Sequence, residues 1–259
     1  MSNTSLIIGE SGTGKSTSLA GLNPKETFII NVLDKPLPFK GYKKNYIPIS
    51  SDGMTGNYYA SDDYFKLIKC IRLINEKRPE IKNLIIDDWQ YTMCNEFMRR
   101  ATETGFVKFT EIGQHAWSII RELTSCRADL YCFVLSHSDS DTNGRMKCKS
   151  IGKMLDEKIT IEGMFTVVLH TQIMDGAYKF LTQNDGGHVA KSPAGMFDEK
   201  YINNDLVYVK DKMTAYYEDD YLEMMEDEIV EENDLSMPDP IMVTGSKNSQ
   251  TLVDMAGAL

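Results

Sequence analysis

The chain has 259 residues, five cysteines and a formal net charge of −10. That length accommodates one large α/β domain with appendages. No apolar stretch approaches a membrane span, and an odd cysteine count without a C-x-x-C pair leaves zinc and a disulfide framework unsupported, which fits a reducing cytoplasm. The charge is unevenly placed. Ten acidic residues and no lysine or arginine lie between Glu218 and Asp234, whereas residues 1–217 carry 27 basic and 26 acidic side chains. The expectation is a near-neutral domain over 1–217 followed by a flexible acidic tail over 218–259. The low overall isoelectric point therefore does not argue against contact with nucleic acid.

In chain order, the apolar run Ser5-Leu6-Ile7-Ile8 reads as a buried strand, too short for a signal peptide. It runs straight into Gly9-Glu10-Ser11-Gly12-Thr13-Gly14-Lys15-Ser16-Thr17. This is a complete G-x-x-x-x-G-K-[ST] phosphate loop, and Ser16 to Leu22 after it reads as a helix start. Gly9, Gly12 and Gly14 permit the torsions that turn successive N–H groups toward one centre, where the α- and β-phosphates of ATP are cradled. The positive end of the following helix adds to that field. Lys15 is placed to reach the β- and γ-phosphates, and the Ser16 hydroxyl to ligate Mg²⁺. A chance glycine-rich turn would not be expected between a strand and a helix in this order.

Thr27 to Leu33 is a second β-branched strand, the Pro-, Gly- and Lys-rich stretch from Lys35 to Tyr46 a loop, and Tyr46 to Ile49 a short strand. Ser61-Asp62-Asp63 caps a helix whose Phe65, Ile68, Ile71, Leu73 and Ile74 recur at helical spacing. Asn83 to Asp87 is a third buried strand. Gln90 to Thr104 and Thr110 to Cys126 read as helices, with Gly113 an odd breaker in the second. Asp129 to Leu135 is a fourth strand, and the polar, Gly-containing stretch Ser138 to Lys149 reads as a loop. Phe165 to Ile173 and Ala177 to Leu181 are strands joined at Asp175-Gly176, a hairpin signal. Alternating strands and helices closed by a hairpin predict an α/β fold, with a mostly parallel sheet flanked by helices and antiparallel at one end.

In such sheets ligands gather at the carboxyl ends of strands. Asp87, ending the run Asn83-Leu84-Ile85-Ile86, is placed to hold Mg²⁺ through its water shell; a strand that merely ends in Asp at a turn is the plainer account. Two carboxylates could orient or deprotonate an attacking water: Asp88, directly after Asp87, and Asp34, at the end of the second strand. His137 ends the fourth strand and either contacts the γ-phosphate and reports hydrolysis to the next loop or is a satisfied histidine without a role. After it, Arg145, Lys147, Lys149, Lys153 and Lys158 form the densest basic stretch of the body. This stretch suits a single-stranded DNA backbone, a solvated surface being the alternative. Lys40, Lys43 and Lys44 form a second basic group.

Taken in order, GESGTGKST, NLIIDD, FTEIGQHAW, VLSHSD, GKMLDEKITIEGMFTVVL and AKSPAGMF resemble the phage-encoded RecA-like P-loop ATPases, known as phage nucleotide-binding proteins. Some of these are assigned as single-strand annealing recombination ATPases. The resemblance spans about residues 3–210; the first two motifs are shared by many ATPases, and the last two are more particular. It implies a RecA-like core, ATP hydrolysis with Mg²⁺, single-stranded DNA binding, self-association into a homo-oligomer, and a bacterial host cytoplasm as location. RecA-like ATPases place their catalytic carboxylate at the end of the second strand, which favours Asp34, although glutamate is common there. Lys191 in AKSP is the candidate for a cation reaching a phosphate, including a neighbouring subunit's, against a surface lysine before a proline turn.

Three functions are compatible with these residues. The leading one is a DNA-stimulated ATPase of phage recombination or replication. A P-loop small-molecule kinase would carry an arginine-rich lid, and the long loop here is lysine-rich. A nucleotide-switched adaptor would use the tail, where Leu222, Met225 and Ile229 share a helical face, to bind a single-strand-binding or other replication protein.

Overall fold

The computed structural model describes residues 2–152 and 154–217. The tail over 218–259, with Leu222, Met225 and Ile229, and Lys153 of the basic stretch lie outside the described residues. Apart from Tyr217, the described residues belong to one compact unit, Met1–Tyr216. Among them no helix is long and apolar enough to cross a membrane.

The strands are β1 (Asn3–Gly9), β2 (Thr27–Asn31), β3 (Tyr58–Ala60), β4 (Asn83–Asp87), β5 (Tyr131–Ser140), β6 (Met146–Cys148), β7 (Val167–Met174), β8 (Ala177–Leu181) and β9 (Tyr201–Asn203). They form a mixed sheet in the order β3-β2-β4-β5-β1-β7-β8-β9, with β6 paired to the end of β5. From β3 to β7 every neighbour is parallel, and β8 and β9 are antiparallel additions at one edge. The expected α/β fold is therefore present, including the edge hairpin. Its turn, Asp175-Gly176, holds both residues at positive φ (51° and 76°), the geometry that matches strand twist in a two-residue hairpin.

The helices are α1 (Tyr42–Asn45), α2 (Tyr64–Lys77), α3 (Gln90–Arg99), α4 (Val107–Thr124) and α5, over residues 206–217. The central strands are buried on both faces, so they read as continuous apolar runs. Leu6, Ile8, Phe28, Ile30, Leu84, Ile86, Cys132 and Val134 share one face and form a single core with Leu67, Ile71 and Ile74 of α2 and Ile112, Ile119, Ile120 and Leu123 of α4. On the opposite face α5 lies against the sheet, where Ser5 Oγ reaches Met213 Sδ at 3.3 Å and the Tyr131 and Thr214 hydroxyls meet at 2.6 Å.

Several local expectations are corrected. The segment after the phosphate loop is one short 3₁₀ turn, Ser16–Leu19, rather than a full helix. Ser18 turns its hydroxyl back to the Lys15 carbonyl (2.6 Å), the backbone competition that makes serine a poor helix interior, and Gly21 and Pro24 follow at once. The stretch 138–149 is a β-hairpin rather than a loop. β5 runs on to Ser140 and pairs antiparallel with β6 around a turn in which Asp141 Oδ1 accepts the N–H groups of Asn143 and Arg145. One turn of helix, α1, breaks the 35–46 loop. The strand expected at 46–49 is reduced to a Pro48–Tyr58 bridge, with β3 taking that edge. Phe65, read as a core position of α2, is exposed, and Leu67 and Cys70 are buried instead. Gly113 is no breaker. A Cβ there would stand 2.6 Å from Met154 Cε, so the glycine lets the 154–159 segment lie against α4.

The start of α2 is capped as expected, with Asp63 Oδ1 accepting from the N–H groups of Phe65 (3.0 Å) and Lys66 (3.1 Å). Asp63→Ala should cost about 1 kcal/mol through those two unsatisfied donors. The check is a lowered urea midpoint with an unchanged slope; an unaltered midpoint would show that the cap carries no stability.

Candidate nucleotide-binding site

Strand order builds the site. β5 lies between β1 and β4, with Gly9 in register with His137 and Ile86 with Val134. The phosphate loop leaving β1, the carboxylates leaving β4 and the Ser136-His137 pair on β5 thus meet at one end of the sheet. They open onto a cleft of about 240 Å³ lined by Ser11, Gly12, Gly14, Lys15, Ser16, Thr17, Lys35, Pro36, Pro38, Asp88, His137 and Tyr178.

The remaining loop residues shape the cradle. Lys15 Nζ donates to the carbonyls of Gly9 (2.8 Å) and Glu10 (2.6 Å), and Thr13 Oγ1 donates to the Glu10 carbonyl (2.8 Å). Gly12 and Gly14 hold φ of +83° and +99°, a region open to glycine without strain. At Gly9 the requirement is space, since a Cβ would lie 1.9 Å from Thr171 Oγ1 of β7. Burial pulls the Lys15 ammonium down to about 8, with Asp88 and Asp87 opposing the shift.

Asp87 is fully buried at the end of β4 and accepts from the Ser16 hydroxyl at 2.9 Å. Its second oxygen, Oδ2, is buried without a hydrogen-bond partner. Burial, reinforced by Asp88, pushes its carboxyl up to about 6. An orphaned carboxylate oxygen beside a serine hydroxyl, at the mouth of a glycine cradle, fits a hydrated Mg²⁺ carried by a nucleotide. Among the described residues no group of three or more His, Cys, Asp or Glu could hold a metal ion without such a ligand.

Asp88 occupies the left-handed region (φ 63°), which turns the chain off the strand and swings its side chain into the cleft. It pairs with Lys35 Nζ, and His137 Nε2 stands 3.5 Å from its Oδ1. Burial raises the Asp88 carboxyl, but His137 and Lys35 outweigh it and hold the group below the usual carboxylate range. Such a carboxylate orients a water better than it takes a proton from one. Burial likewise opposes the Lys35 charge, yet Asp88 and then Asp87 raise its pKa overall.

The structure thus brings Lys15, Ser16, Asp88 and His137 together, with Asp87 directly behind Ser16. It does not bring Asp34 or Lys191 into the cleft. Asp34 is exposed, and its Oδ1 accepts from the Tyr58 hydroxyl at 2.9 Å. The preference between the two candidate carboxylates therefore passes from Asp34 to Asp88. Lys191 is exposed, and its backbone bridges Val168 in both directions. Val168 is level with Leu6, three residues short of Gly9, so Lys191 lies about 10 Å down the strand from the phosphate loop.

No sequence pattern marks Lys35, Tyr178 or Gln90 as part of the site. The Tyr178 ring lies against Gly14, where a Cβ would meet it at 2.8 Å. Gln90 is buried, and its Oε1 accepts from Ser136 Oγ (3.2 Å) and the His137 N–H (3.1 Å), anchoring β5 where its apolar run gives way to polar residues. The basic hairpin grows from the same point. The Lys149 N–H donates to the His137 carbonyl (2.8 Å), and Arg145, Lys147 and Lys149, at alternate positions, share one face of it. Asp139 lies opposite Lys147 and 3.5 Å from Lys149 Nζ, neutralising part of that face.

A glycine-rich cradle, a serine–aspartate pair and a parallel sheet in this order define a P-loop nucleotide-binding domain. The chain belongs to the AAA domain family (AAA_24), whose model matches residues 1–194, and so to the P-loop ATPases. No curated protein matches the sequence.

The depressed Lys15 pKa gives nucleotide binding a defined pH dependence. A bound polyphosphate raises that pKa, so affinity is full below about 8 and falls as pH rises through it, by up to about tenfold per unit. Titration calorimetry with a non-hydrolysable ATP analogue should show this limb, and Lys15→Arg, charged throughout, should flatten it. A level profile for the unmodified protein from about pH 7 to about pH 9.5 would contradict the assignment.

Proposed function

We propose that this protein binds and hydrolyses ATP with Mg²⁺ and contacts single-stranded DNA, as an ATPase of phage recombination or replication. The observation that carries the ATPase reading is the Ser16–Asp87 hydrogen bond beneath a cleft closed by the phosphate loop. In this reading the N–H groups of residues 12–17 hold the α- and β-phosphates, and Lys15 neutralises charge toward the γ-phosphate. Ser16 and Asp87 would hold Mg²⁺, which when bound would offset the charge building on the phosphoryl oxygens. Asp88 orients the attacking water, and His137 relays the state of the cleft to the hairpin whose ladder begins on its carbonyl.

Two observations support the DNA part. The stretches GKMLDEKITIEGMFTVVL and AKSPAGMF resemble the phage RecA-like ATPases, and three cations share one face of a hairpin rooted at the cleft. A cationic strand face tracks a phosphate backbone without reading bases. In a homo-oligomer Lys191 would be free to face a neighbouring subunit, since it does not serve its own cleft.

Lys15→Ala should lower ATP affinity at least about tenfold and abolish turnover, because charge-assisted contacts contribute about 1.5–3 kcal/mol each. Turnover measured with and without single-stranded DNA tests both halves of the reading. Unchanged turnover in the variant would remove the ATPase assignment.

Replacing Arg145, Lys147 and Lys149 together with Ala should weaken single-stranded DNA binding and flatten its salt dependence by roughly 0.7 per lost phosphate contact. An unaltered slope would move the DNA surface elsewhere, with Lys40, Lys43 and Lys44 next to test.

A further inference from the structure

The second ammonium in the cleft is not explained by the phosphate loop. Lys35 follows β2 on a short segment whose Pro36 and Pro38 also line the cleft, and its Nζ is paired with Asp88. Unlike Asp88, which is buried, the Lys35 side chain is 45% exposed and has room to move. Its charge is felt by Lys15 and by Asp87, so it stands at the carboxylate end of the cleft.

Two adjacent carboxylates there need a counter-charge, and Lys35 supplies it to Asp88. An arriving Mg²⁺–nucleoside triphosphate alters that balance. Asp87 would be neutralised by a bound Mg²⁺, and the γ-phosphate would add an anion to a space of about 240 Å³ lined by the Lys35 side chain. A diphosphate lacks that anion. We propose that Lys35 is the γ-phosphate-sensing cation of this site: it is held by Asp88 without nucleotide, is shared with the γ-phosphate when a triphosphate is bound, and thereby distinguishes triphosphate from diphosphate. The inference rests on the nucleotide reading of the cleft and deepens it. Sharing the ammonium also loosens its hold on Asp88, so the carboxylate becomes available to water only when a γ-phosphate is present.

The test is equilibrium binding of AMPPNP and ADP, each with Mg²⁺, to the full chain and its variants. Lys35→Ala should weaken AMPPNP at least about tenfold while leaving ADP unchanged, and Lys35→Arg should recover most of the loss. Removing Lys35 also frees the Asp88 charge, which by itself would repel a γ-phosphate. The comparison of Asp88→Asn with Lys35→Ala/Asp88→Asn separates the two effects. A direct contact with phosphate predicts that the double variant binds AMPPNP more weakly than Asp88→Asn alone. Equal AMPPNP affinity in that pair, or equal losses for AMPPNP and ADP in Lys35→Ala, would overturn the proposal. Failure of the unmodified protein to bind either nucleotide would instead overturn the nucleotide reading, and this inference with it.

Discussion

Two neighbouring carboxylates buried at the end of one strand set the electrostatics of this molecule's active end. Asp87 and Asp88 are almost without solvent contact, and a buried carboxylate is tolerated only when hydrogen-bonded, paired or neutralised by protonation. The two are treated differently. Asp88 has His137 and Lys35 and stays ionised, whereas Asp87 has one serine hydroxyl and an orphaned oxygen, and its pKa rises to about 6. The pair thus has cationic neighbours, Lys35 and His137, at one carboxylate and is deficient in positive charge at the other. That deficiency faces the cradle and gives a metal-bound polyanion a reason to bind there.

Strand order converts this local charge problem into a connected device. Because β5 separates β1 from β4, the phosphate loop and the carboxylates do not touch through the sheet, and Ser136 and His137 lie between them. Gln90 then ties the start of α3 to Ser136 and His137 within β5 by two hydrogen bonds on one oxygen. Asp88, His137 and the hairpin that continues β5 are thus contiguous, through the 3.5 Å approach of His137 Nε2 to Asp88 and the hydrogen bond from the Lys149 N–H to the His137 carbonyl. The path is short because the hairpin is the same strand, extended by five residues beyond the Leu135 at which an apolar reading would stop it.

That extension shows where sequence reasoning ended. The parallel core was legible because its strands are uninterrupted apolar runs, and the phosphate loop because glycine, lysine and serine at fixed spacing have few other uses. The hairpin was missed although Arg145-Met146-Lys147-Cys148-Lys149 alternates with period two; polar turn residues at 141–144 dominated the reading of the segment. Lys35, Tyr178 and Gln90 were missed for a different reason. Lys35 and Tyr178 enter the cleft, and Gln90 reaches β5 behind it, through the pairing of distant strands or the fold of a loop, and no local pattern marks them. Asp34 illustrates the converse, since it follows the second strand at the carboxyl end of the sheet, three residues beyond the end of β2. Its own positive φ (53°) and the Tyr58 hydroxyl direct the carboxylate away from the cleft.

The brevity of the segment after the phosphate loop has an electrostatic consequence. In a long helix, aligned peptide dipoles present about half a positive charge to a bound anion at the amino terminus. Here the loop opens into four residues of 3₁₀ turn, held short by the Ser18 hydroxyl and by Gly21, which packs against Val207 and Asp205 of the 205–207 segment. The summed dipole is correspondingly small, so the loop's own N–H groups and mobile cations must neutralise more of a triphosphate. A second ammonium, kept charged by Asp88 and nearly half exposed, adds to that neutralisation. The short turn, the buried carboxylate and Lys35 therefore belong to one arrangement. Lengthening the turn into a full helix would reduce the need for Lys35, whereas removing the Asp88 charge would leave Lys35 without the partner that holds it at the mouth of the cleft.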